Sequence, residues 1–344
     1  MTTEIIKTDS DFNEGINKAA AVIRRGGLVI FPTETVYGLG ADATSAAAAQ
    51  AIYAAKGRPS DNPLIIHVAK PEDAEPYAET NEHYYRLAKH FMPGPLTVIL
   101  PRKDTIPPQT SGGLDTVAVR CPSHPVAHAL IAAAGVPIAA PSANISGRPS
   151  PTNASDVIAD MNGRVDIIID GGDCEIGLES TIVKLEGSRG ILLRPGAITV
   201  DALRCVLDEV KIAPAVIGKL ADNEKPLSPG MKYRHYAPEA PLVLLDGHPD
   251  DVLRFMQNTP KDAVLLCYDE EVPALDGHIL LPVGEREDEE AQAHRLFTNL
   301  RQADRENAKI IYAHLPSTNG IGLALYNRML RAAAHTVQYI KSED

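Results

Sequence analysis

Two cations separated by one residue are the first candidates for chemistry in this chain. Lys56 and Arg58 follow an alanine-rich stretch of helical character, and Gly57 and Pro59 beside them indicate a stiff loop where that helix ends. An arginine fork and a compact ammonium group can neutralise a polyphosphate, with Mg²⁺ completing the charge balance. The structural alternative is that Lys56 complements the helix dipole while Arg58 is solvated.

Polar side chains also collect where several apolar runs end. Residues 32–40 carry two threonines after one such run, and their glycines permit either positive φ or a close backbone approach. Similar clusters occupy residues 113–120, 139–147, 177–181 and 194–196. Because open α/β sheets bind ligands at the carboxyl ends of their strands, the recurrence predicts one shared polar pocket. Separate turns, in which Ser and Asn satisfy local backbone, are the alternative.

His67 also ends an apolar run, where a histidine at the edge of the core and a ligand-binding histidine look the same. Several catalytic signatures are missing from the sequence, namely G-x-x-x-x-G-K-[ST], G-x-S-x-G, H-E-x-x-H and the kinase set. A hydrolase or P-loop mechanism is therefore not expected.

The elements that must position these residues follow from the apolar periodicity. With 344 residues, of which 44% are hydrophobic and 23% charged, the chain has the size of a two-domain globular protein. In the N-terminal part, strands are predicted at 27–31, 64–68, 96–100, 116–120, 136–140, 166–170, 180–185 and 191–194. Helices are predicted at 12–25, 45–56, 82–91, 125–134, 153–161 and 200–210. Several later strands lack an intervening helix, so a mixed sheet is expected.

Three segments are predicted: a catalytic domain at 1–210, a linker at 211–240 and a C-terminal domain at 241–344. The linker loses periodicity and collects prolines, yet it carries the consecutive residues KYRHY, which a plain spacer does not need. In the C-terminal domain, strands near 242–245, 263–268 and 309–314 alternate with helices at 249–257, 289–303 and 323–334. This alternation is typical of a Rossmann-like fold, although G-x-G-x-x-G is missing.

Composition limits the location and the partners of the protein. A net charge of −12 opposes long-range attraction to nucleic acid or to anionic membranes, so a nucleotide site must be a local basic pocket. The first thirty residues show no secretory signal, and no apolar run is long enough to cross a bilayer. We expect a cytoplasmic protein. The four cysteines, which form no C-x-x-C pair, fit a reducing compartment: Cys121, Cys174, Cys205 and Cys267.

Taken together, the motifs resemble the YrdC-like family, and in particular its two-domain threonylcarbamoyl-AMP synthases. The matching segments occur in the expected order and run from FPTETVYGLGADA, KGRPSDNPLIIHV, PGPLTVILP and GGLDTVAVR to APSANISGRPSPT, IIDGG, GLESTIV, LLRPGAIT and SPGMKYRHYAP. The resemblance implies an α/β fold, in which a twisted mixed sheet with a concave basic cavity precedes a smaller Rossmann-like α/β domain.

The resemblance also implies a reaction that consumes L-threonine, bicarbonate and ATP and releases pyrophosphate and threonylcarbamoyl-adenylate. Mg²⁺ is expected to accompany ATP, and no metal ligands are assigned to the protein. The product would pass to tRNA threonylcarbamoyl-transferase machinery for modification next to the anticodon. Stable binding of tRNA or of a membrane by this chain is not expected.

Site residues are carried over one position at a time. The threonine site is expected at Thr35, His67, Arg120, Ala140 and Ser180, with Arg120 pairing the carboxylate. ATP contacts are expected at Arg58, Asn62, Thr116, Ser142, Ser150, Arg194 and Tyr236. Asn144 should line the same pocket, facing nucleotide or carbamate, and Lys56 should face phosphate and join Arg58 as a catalytic cation. Tyr236 lies in the linker, which predicts that the linker closes over the cavity as a lid.

Two other functions are alternatives to the synthase. Carbamoyl transfer of the hydrogenase-maturation kind requires an acylphosphatase region and cysteine-rich zinc fingers, and the sequence contains neither. An RNA-binding module could use a basic cavity as its docking surface, but the net charge and the small number of aromatic clusters oppose it.

Overall fold

The structure, a computed structural model, describes residues 2–8, 12–218 and 235–341. The chain forms two compact units. The first comprises residues 1–146 and 150–232, and the second comprises residues 147–149 and 233–344. Most of the predicted linker, residues 219–234, lies outside the described residues, so the predicted lid and the domain boundaries stay predictions.

The first unit is built on one mixed sheet of eleven strands, in the order β1-β8-β2-β3-β7-β4-β6-β5-β9-β10-β11. Pairs such as β4 with β6 are parallel, whereas β5 with β6 is antiparallel, which confirms the predicted mixed sheet. The strands are β1 Glu4–Lys7, β2 Val29–Phe31, β3 Gly38–Asp42, β4 Ile65–His67, β5 Leu96–Pro101, β6 Thr116–Arg120, β7 Ile138–Ala139, β8 Ile167–Asp170, β9 Thr181–Glu186, β10 Arg189–Arg194 and β11 Glu209–Ile212.

Seven helices belong to this unit as far as the structure describes it: α1 Phe12–Arg24, α2 Ala46–Lys56, α3 Glu82–Phe91, α4 Pro108–Ser111, α5 Pro125–Ala134, α6 Ala154–Met161 and α7 Val200–Arg204. The apolar faces of α1 and α5 pack on β2, β7 and β8 in one buried cluster. The opposite part of the sheet has a separate cluster that includes Ile65, Ala118 and Ala215. The segment around Ala215 therefore packs against the sheet.

Helix α2 shows how local sequence places a predicted site residue. The Ser45 side chain accepts a hydrogen bond from the Ala48 amide and caps the first turn. At the other end, Gly57 adopts the left-handed conformation at φ 62°, which stops the helix directly after Lys56. The loop that carries Arg58 therefore begins at a defined point.

One predicted helix was too long, and strand β3 was not predicted. The predicted helix 200–210 ends at Arg204, and Glu209–Ile212 forms strand β11 because it pairs in parallel with β10 and buries Val210. Residues 32–40, for which no strand was predicted, end in strand β3, because Gly38–Asp42 pairs with β2. Gly40 allows two side chains to pack closely against the backbone, since a Cβ atom there would lie 2.7 Å from both Ile138 Cγ2 and Phe31 Cε1.

The second unit contains a five-stranded sheet in the order β14-β13-β15-β12-β16, and all of its pairs are parallel. Its strands are β12 Leu242–Asp246, β13 Val264–Cys267, β14 Ile279–Pro282, β15 Ile311–His314 and β16 Val337–Tyr339. The helices are α8 Pro249–Gln257, α9 Glu289–Arg305 and α10 Gly322–Ala332. The predicted Rossmann-like α/β unit is confirmed, although β14 and β16 were not predicted.

Over residues 2–8, 12–218 and 235–341, the structure has no helix that combines the length and the apolar character needed to cross a membrane.

Candidate active site

Strand register aligns three polar side chains across the middle of the large sheet. His67 on β4 pairs with Arg120 on β6, and Arg120 in turn pairs with Thr97 on β5. Adjacent strands lie about 4.8 Å apart, and residues paired in register point to the same face. The predicted threonine contacts His67 and Arg120 are therefore direct neighbours, and Thr97, which was not predicted, extends the row.

Arg120 is buried and partly engaged. Its Nη2 atom donates to Glu34 Oε1 at 2.7 Å, and Glu34 Oε2 accepts from the Ser123 amide at 3.2 Å. Within the described residues, the buried Nε atom of Arg120 has no hydrogen-bond partner. An unsatisfied buried donor is costly unless a ligand completes it. The guanidinium is thus oriented by Glu34 and can still bind an anion.

Glu34 is a functional candidate that sequence reasoning missed. It lies inside the FPTETVYGLGADA motif, but nothing in the sequence indicates which cation it pairs with. Both side chains of the Glu34–Arg120 pair are about 95% buried, with exposures of 4% and 5%. Removing one partner of such a pair would leave an uncompensated buried charge, which destabilises a fold strongly.

His67 is held as a neutral imidazole. Burial lowers the pKa of His67 to about 3, and the positive charge of Arg120 lowers it further in the same direction. Its Nδ1 atom lies 3.3 Å from the Ile138 carbonyl oxygen. Because a carbonyl only accepts, we assign the proton to Nδ1, which leaves the Nε2 lone pair as an acceptor.

Ser180 and Arg194 are joined to the same row. The Ser180 hydroxyl lies 2.7 Å from Thr97 Oγ1, and Arg194 donates from Nη2 to Ser180 Oγ at 3.1 Å and from Nε to the Ser180 carbonyl at 3.0 Å. All three side chains are buried. A predicted threonine contact and a predicted ATP contact are therefore in direct hydrogen-bonding distance of each other.

The remaining predicted threonine contacts, Thr35 and Ala140, use polar groups in hydrogen bonds within the protein. Thr35 Oγ1 lies 2.8 Å from Thr33 Oγ1, and Thr33 also donates to the Val36 carbonyl, so the loop after β2 is tied together. Ala140 packs in the apolar cluster under α1 and α5, and its amide donates to the Ile65 carbonyl at 2.9 Å. Any contact of Ala140 with a ligand would therefore involve its carbonyl or methyl group.

A second group of predicted residues gathers at the end of α2. The ammonium group of Lys56 donates to the carbonyl oxygens of Ser142 and Asn144, each at 2.5 Å, and lies 3.3 Å from Asn144 Oδ1. Ser142 Oγ donates to Asn144 Oδ1 at 2.6 Å. The two motifs KGRPSDN and APSANISG are thereby bonded to each other, far apart in sequence but adjacent in space.

Arg58 and Asn62 follow in the loop after α2. Arg58 is half-buried and donates from Nη2 to the carbonyl oxygens of Asn62 and Pro63, at 3.3 and 3.1 Å. Asn62 is buried, and its Oδ1 atom has no hydrogen-bond partner in the part of the chain that the structure describes. An unsatisfied buried acceptor next to a cation is the kind of group that a bound ligand would complete.

Ser150 is joined to the segment of Ser180 through a second unpredicted carboxylate. Its hydroxyl donates to Glu179 Oε1 at 2.5 Å, and both residues are buried. Glu179 directly precedes Ser180, so the nucleotide contact predicted at Ser150 lies beside the row of threonine contacts. Ser142 is linked to the loop after β2 as well, through a β-bridge with Gly38.

Thr116 and Tyr236 are the two remaining predicted contacts. Thr116 begins β6, four residues or about 13 Å along the strand from Arg120. The parallel register that pairs Ile65 with Ala118 places Thr116 level with Pro63, at the end of the sheet where the loop of Arg58 and Asn62 leads into β4. Tyr236 belongs to the second unit, where it adopts φ 62° and stacks on Phe297 with ring centroids 5.3 Å apart. The Cζ atom of Arg328 lies over the same ring, 5.4 Å from its centroid.

The assembled groups favour binding of anions over binding of a bare metal ion. The first unit contributes four predicted cations, Lys56, Arg58, Arg120 and Arg194, although the chain as a whole is acidic. The buried carboxylates Glu34 and Glu179 contact Arg120 and Ser150. Within the described ranges, no cluster of three or more His, Cys, Asp or Glu side chains could hold a metal ion. The arrangement can bind a carboxylate at Arg120 and phosphate groups beside Arg58.

Two known protein families match adjacent parts of the chain. Residues 21–196 match the family described as "Telomere recombination", and residues 198–334 match "Threonylcarbamoyl-AMP synthase, C-terminal domain". The first range contains every predicted site residue of the first unit. The second range begins just after Arg194 and contains Tyr236.

Curated relatives resemble the chain over nearly its full length. The threonylcarbamoyl-AMP synthase of Pyrococcus abyssi is 45% identical over 94% of this chain and 95% of its own, and that of Bacillus subtilis is 43% identical over 94% of each. The crystal structure of P. abyssi Sua5 complexed with L-threonine superposes with a TM-score of 0.88 at 41% identity, covering 99% of this chain and 100% of that one. The chain therefore belongs to the threonylcarbamoyl-AMP synthase family.

Proposed function

We propose that this site makes threonylcarbamoyl-AMP from L-threonine, bicarbonate and ATP and releases pyrophosphate. The observation that carries the proposal is the convergence of Arg120, with its open Nε donor, and the Lys56–Ser142–Asn144 group within one unit. A candidate carboxylate site and a candidate nucleotide site are thus both formed by residues of the first unit. Family membership supports the identity of the product, and formation of the modified adenosine in tRNA follows from the family.

The proposed chemistry needs no covalent enzyme intermediate. The threonine amine takes up bicarbonate to give a carbamate and water, and a carbamate oxygen then attacks the α-phosphorus of ATP. Pyrophosphate leaves, so the reaction is a nucleotidyl transfer. Catalysis would come from positioning and from cationic stabilisation of the charge that develops on the phosphoryl groups.

Individual residues then have distinct roles. Arg120, oriented by Glu34, would pair with the threonine carboxylate. Neutral His67 would accept a hydrogen bond at Nε2 without adding charge beside that guanidinium. Arg58 would contact the phosphates, and Asn62 Oδ1 would accept from a donor group of the ligand.

Mg²⁺ is proposed as part of the ATP complex. The described residues offer no acidic cluster for a resident ion, which suits a cation that binds mainly through substrate phosphates and water. The ion would neutralise charge on the leaving pyrophosphate.

Partners and location extend the proposal. The unstable product would pass to tRNA threonylcarbamoyl-transferase machinery, and the net charge of −12 makes stable binding of tRNA by this chain unfavourable. We place the reaction in the cytoplasm.

Release of pyrophosphate from ATP tests the proposed function. The purified chain is assayed with each amino acid in turn, with and without bicarbonate. Release that depends on both threonine and bicarbonate is expected, with serine and allo-threonine as matched controls for the side-chain methyl group and its configuration. Release without threonine, or equal release with all amino acids, would contradict the proposal.

A further inference from the structure

All three N–H groups of the Lys56 ammonium are directed at protein oxygens. Lys56 is only 2% exposed, and its acceptors are the carbonyl oxygens of Ser142 and Asn144 together with Asn144 Oδ1. An ammonium group has three donors, so these three oxygens can engage all of them. A phosphate group would have to compete with these oxygens for Lys56.

The backbone of Lys56 holds the same piece of chain. Its carbonyl oxygen accepts from the Ser146 amide at 2.9 Å, and the Ala143 amide donates to the Tyr37 carbonyl at 2.8 Å. We call residues 142–146 the SANIS loop. The loop is therefore tied at both ends to the last residue of α2.

Helix α2 provides a fixed support for this attachment. It is capped by Ser45 at its start and by the left-handed Gly57 at its end, so the position of Lys56 along the helix is defined. A buried lysine needs partners that offset its desolvation, and carbonyl dipoles of the SANIS loop supply them. Removing the ammonium would leave those carbonyls unsatisfied in a buried place.

We propose that Lys56 is a positioning residue, which fixes the SANIS loop so that Ser142 and Asn144 face the nucleotide, and that it does not contact phosphate itself. Arg58, which is half-buried and so accessible to a ligand, supplies the phosphate-binding cation. The inference rests on the proposed nucleotide site. It gives Lys56 a role different from the one that its place in the sequence predicts.

Nucleotides with different numbers of phosphates separate the two roles. Calorimetry without threonine measures the affinities of the full-length chain for AMP, ADP and ATP, in Lys56→Met and in the matched variant Arg58→Met. Lys56→Met should lower the affinities for AMP, ADP and ATP by a similar factor of about ten. In Arg58→Met, the factor by which the affinity falls should be about ten times larger for ATP than for AMP. A loss in Lys56→Met that grows with phosphate number overturns the proposal, and so do unchanged affinities.

Hydrogen exchange measures the stability of the SANIS loop without nucleotide, which the loss of a phosphate contact alone would not change. Without nucleotide, the amides of Ala143 and Ser146 should exchange faster in Lys56→Met than in the wild-type chain, while Arg58→Met leaves them unchanged. Equal protection of these amides in Lys56→Met would overturn the proposal.

A measurement on the wild-type chain remains informative if Lys56→Met does not fold. Acetic anhydride labelling, read by mass spectrometry, should leave Lys56 unmodified both with and without ATP, because its ammonium is enclosed in either state. Labelling of Lys56 that ATP suppresses would overturn the proposal. Failure of the wild-type chain to bind ATP would count against the proposed function, whereas labelling and exchange without nucleotide still decide the role of Lys56.

Discussion

Arg58 lies in the loop after α2, half-buried, with Nη2 bonded to two backbone carbonyl oxygens. These bonds orient the guanidinium group of Arg58. Arg58→Ala should lower the rate of threonine-dependent pyrophosphate release by about 30- to 900-fold, equivalent to about 2–4 kcal/mol of transition-state stabilisation. Steady-state kinetics of pyrophosphate release measures this loss.

The control for Arg58 is an arginine of the same unit that lacks a role in the site. Arg189 is largely exposed and pairs with Glu209 at the surface. Arg189→Ala should keep the wild-type rate. Normal turnover in Arg58→Ala would remove Arg58 from the catalytic group, whatever its effect on stability.

His67 couples stability to pH through its burial. Its folded-state pKa of about 3 lies well below the ordinary value of 6.5, so between these values the unfolded chain binds a proton that the folded chain does not. Stability should therefore fall as pH falls through this window, by up to about 1.4 kcal/mol per pH unit from this group. Urea unfolding at several pH values measures the slope.

Replacing the imidazole separates this contribution from those of the carboxylates. His67→Gln, which keeps a polar side chain that cannot titrate, should flatten the slope between pH 6.5 and 4 relative to the wild-type chain. The exposed His90 provides the matched control, and His90→Gln should leave the slope unchanged. An identical slope in His67→Gln would show that His67 is not held neutral.

At the scale of elements, the sequence predicted what its local patterns encode. Strands such as β4 and β6 were predicted because their apolar runs are continuous, and their carboxyl ends carry His67 and Arg120. The edge strands β1 and β11 were missed because short, half-exposed segments become strands only through pairing. The Glu34–Arg120 pair could not be predicted either, since strand register decides which charges meet.

Glycines in β3 illustrate a constraint that only packing explains. Gly40 lies under the Phe31 ring and the Ile138 side chain, so Gly40→Ala would force at least one of them to move. We expect Gly40→Ala to lower the free energy of unfolding by about 1–3 kcal/mol, as is common for overpacking. Urea unfolding of the wild-type chain and of Gly40→Ala measures this difference in free energy.

Gly38 is the matched control in the same strand. A Cβ atom there would lie 3.4 Å from Ala140 Cβ, an ordinary contact distance, and its φ is not in the left-handed region. Gly38→Ala should therefore leave stability unchanged or slightly raised, because it also restricts the unfolded chain. Equal destabilisation by both substitutions would show that strand conformation, and not the contact with Phe31, requires glycine.

At the scale of the molecule, most of the gathered site lies in a unit with its own core. The clusters beneath α1 and α5 and around Ile65 are formed by residues of the first unit, including the segment near Ala215. The first family match ends at residue 196, and the second begins at residue 198. The first unit has the size of an independent domain.

A chain truncated after Gly218 tests how much of the activity the first unit holds. The cut keeps Ala215 on the sheet, so we expect cooperative unfolding in urea, but pyrophosphate release should fall because the predicted nucleotide contact Tyr236 is lost. In the full chain, Tyr236→Phe retains the ring that stacks on Phe297 and removes only the hydroxyl, so it shows how much of that loss is due to this one contact. A truncated chain that works at the full rate would rule out a catalytic role for the predicted lid, and one that fails to fold would show that the first unit depends on the rest of the chain.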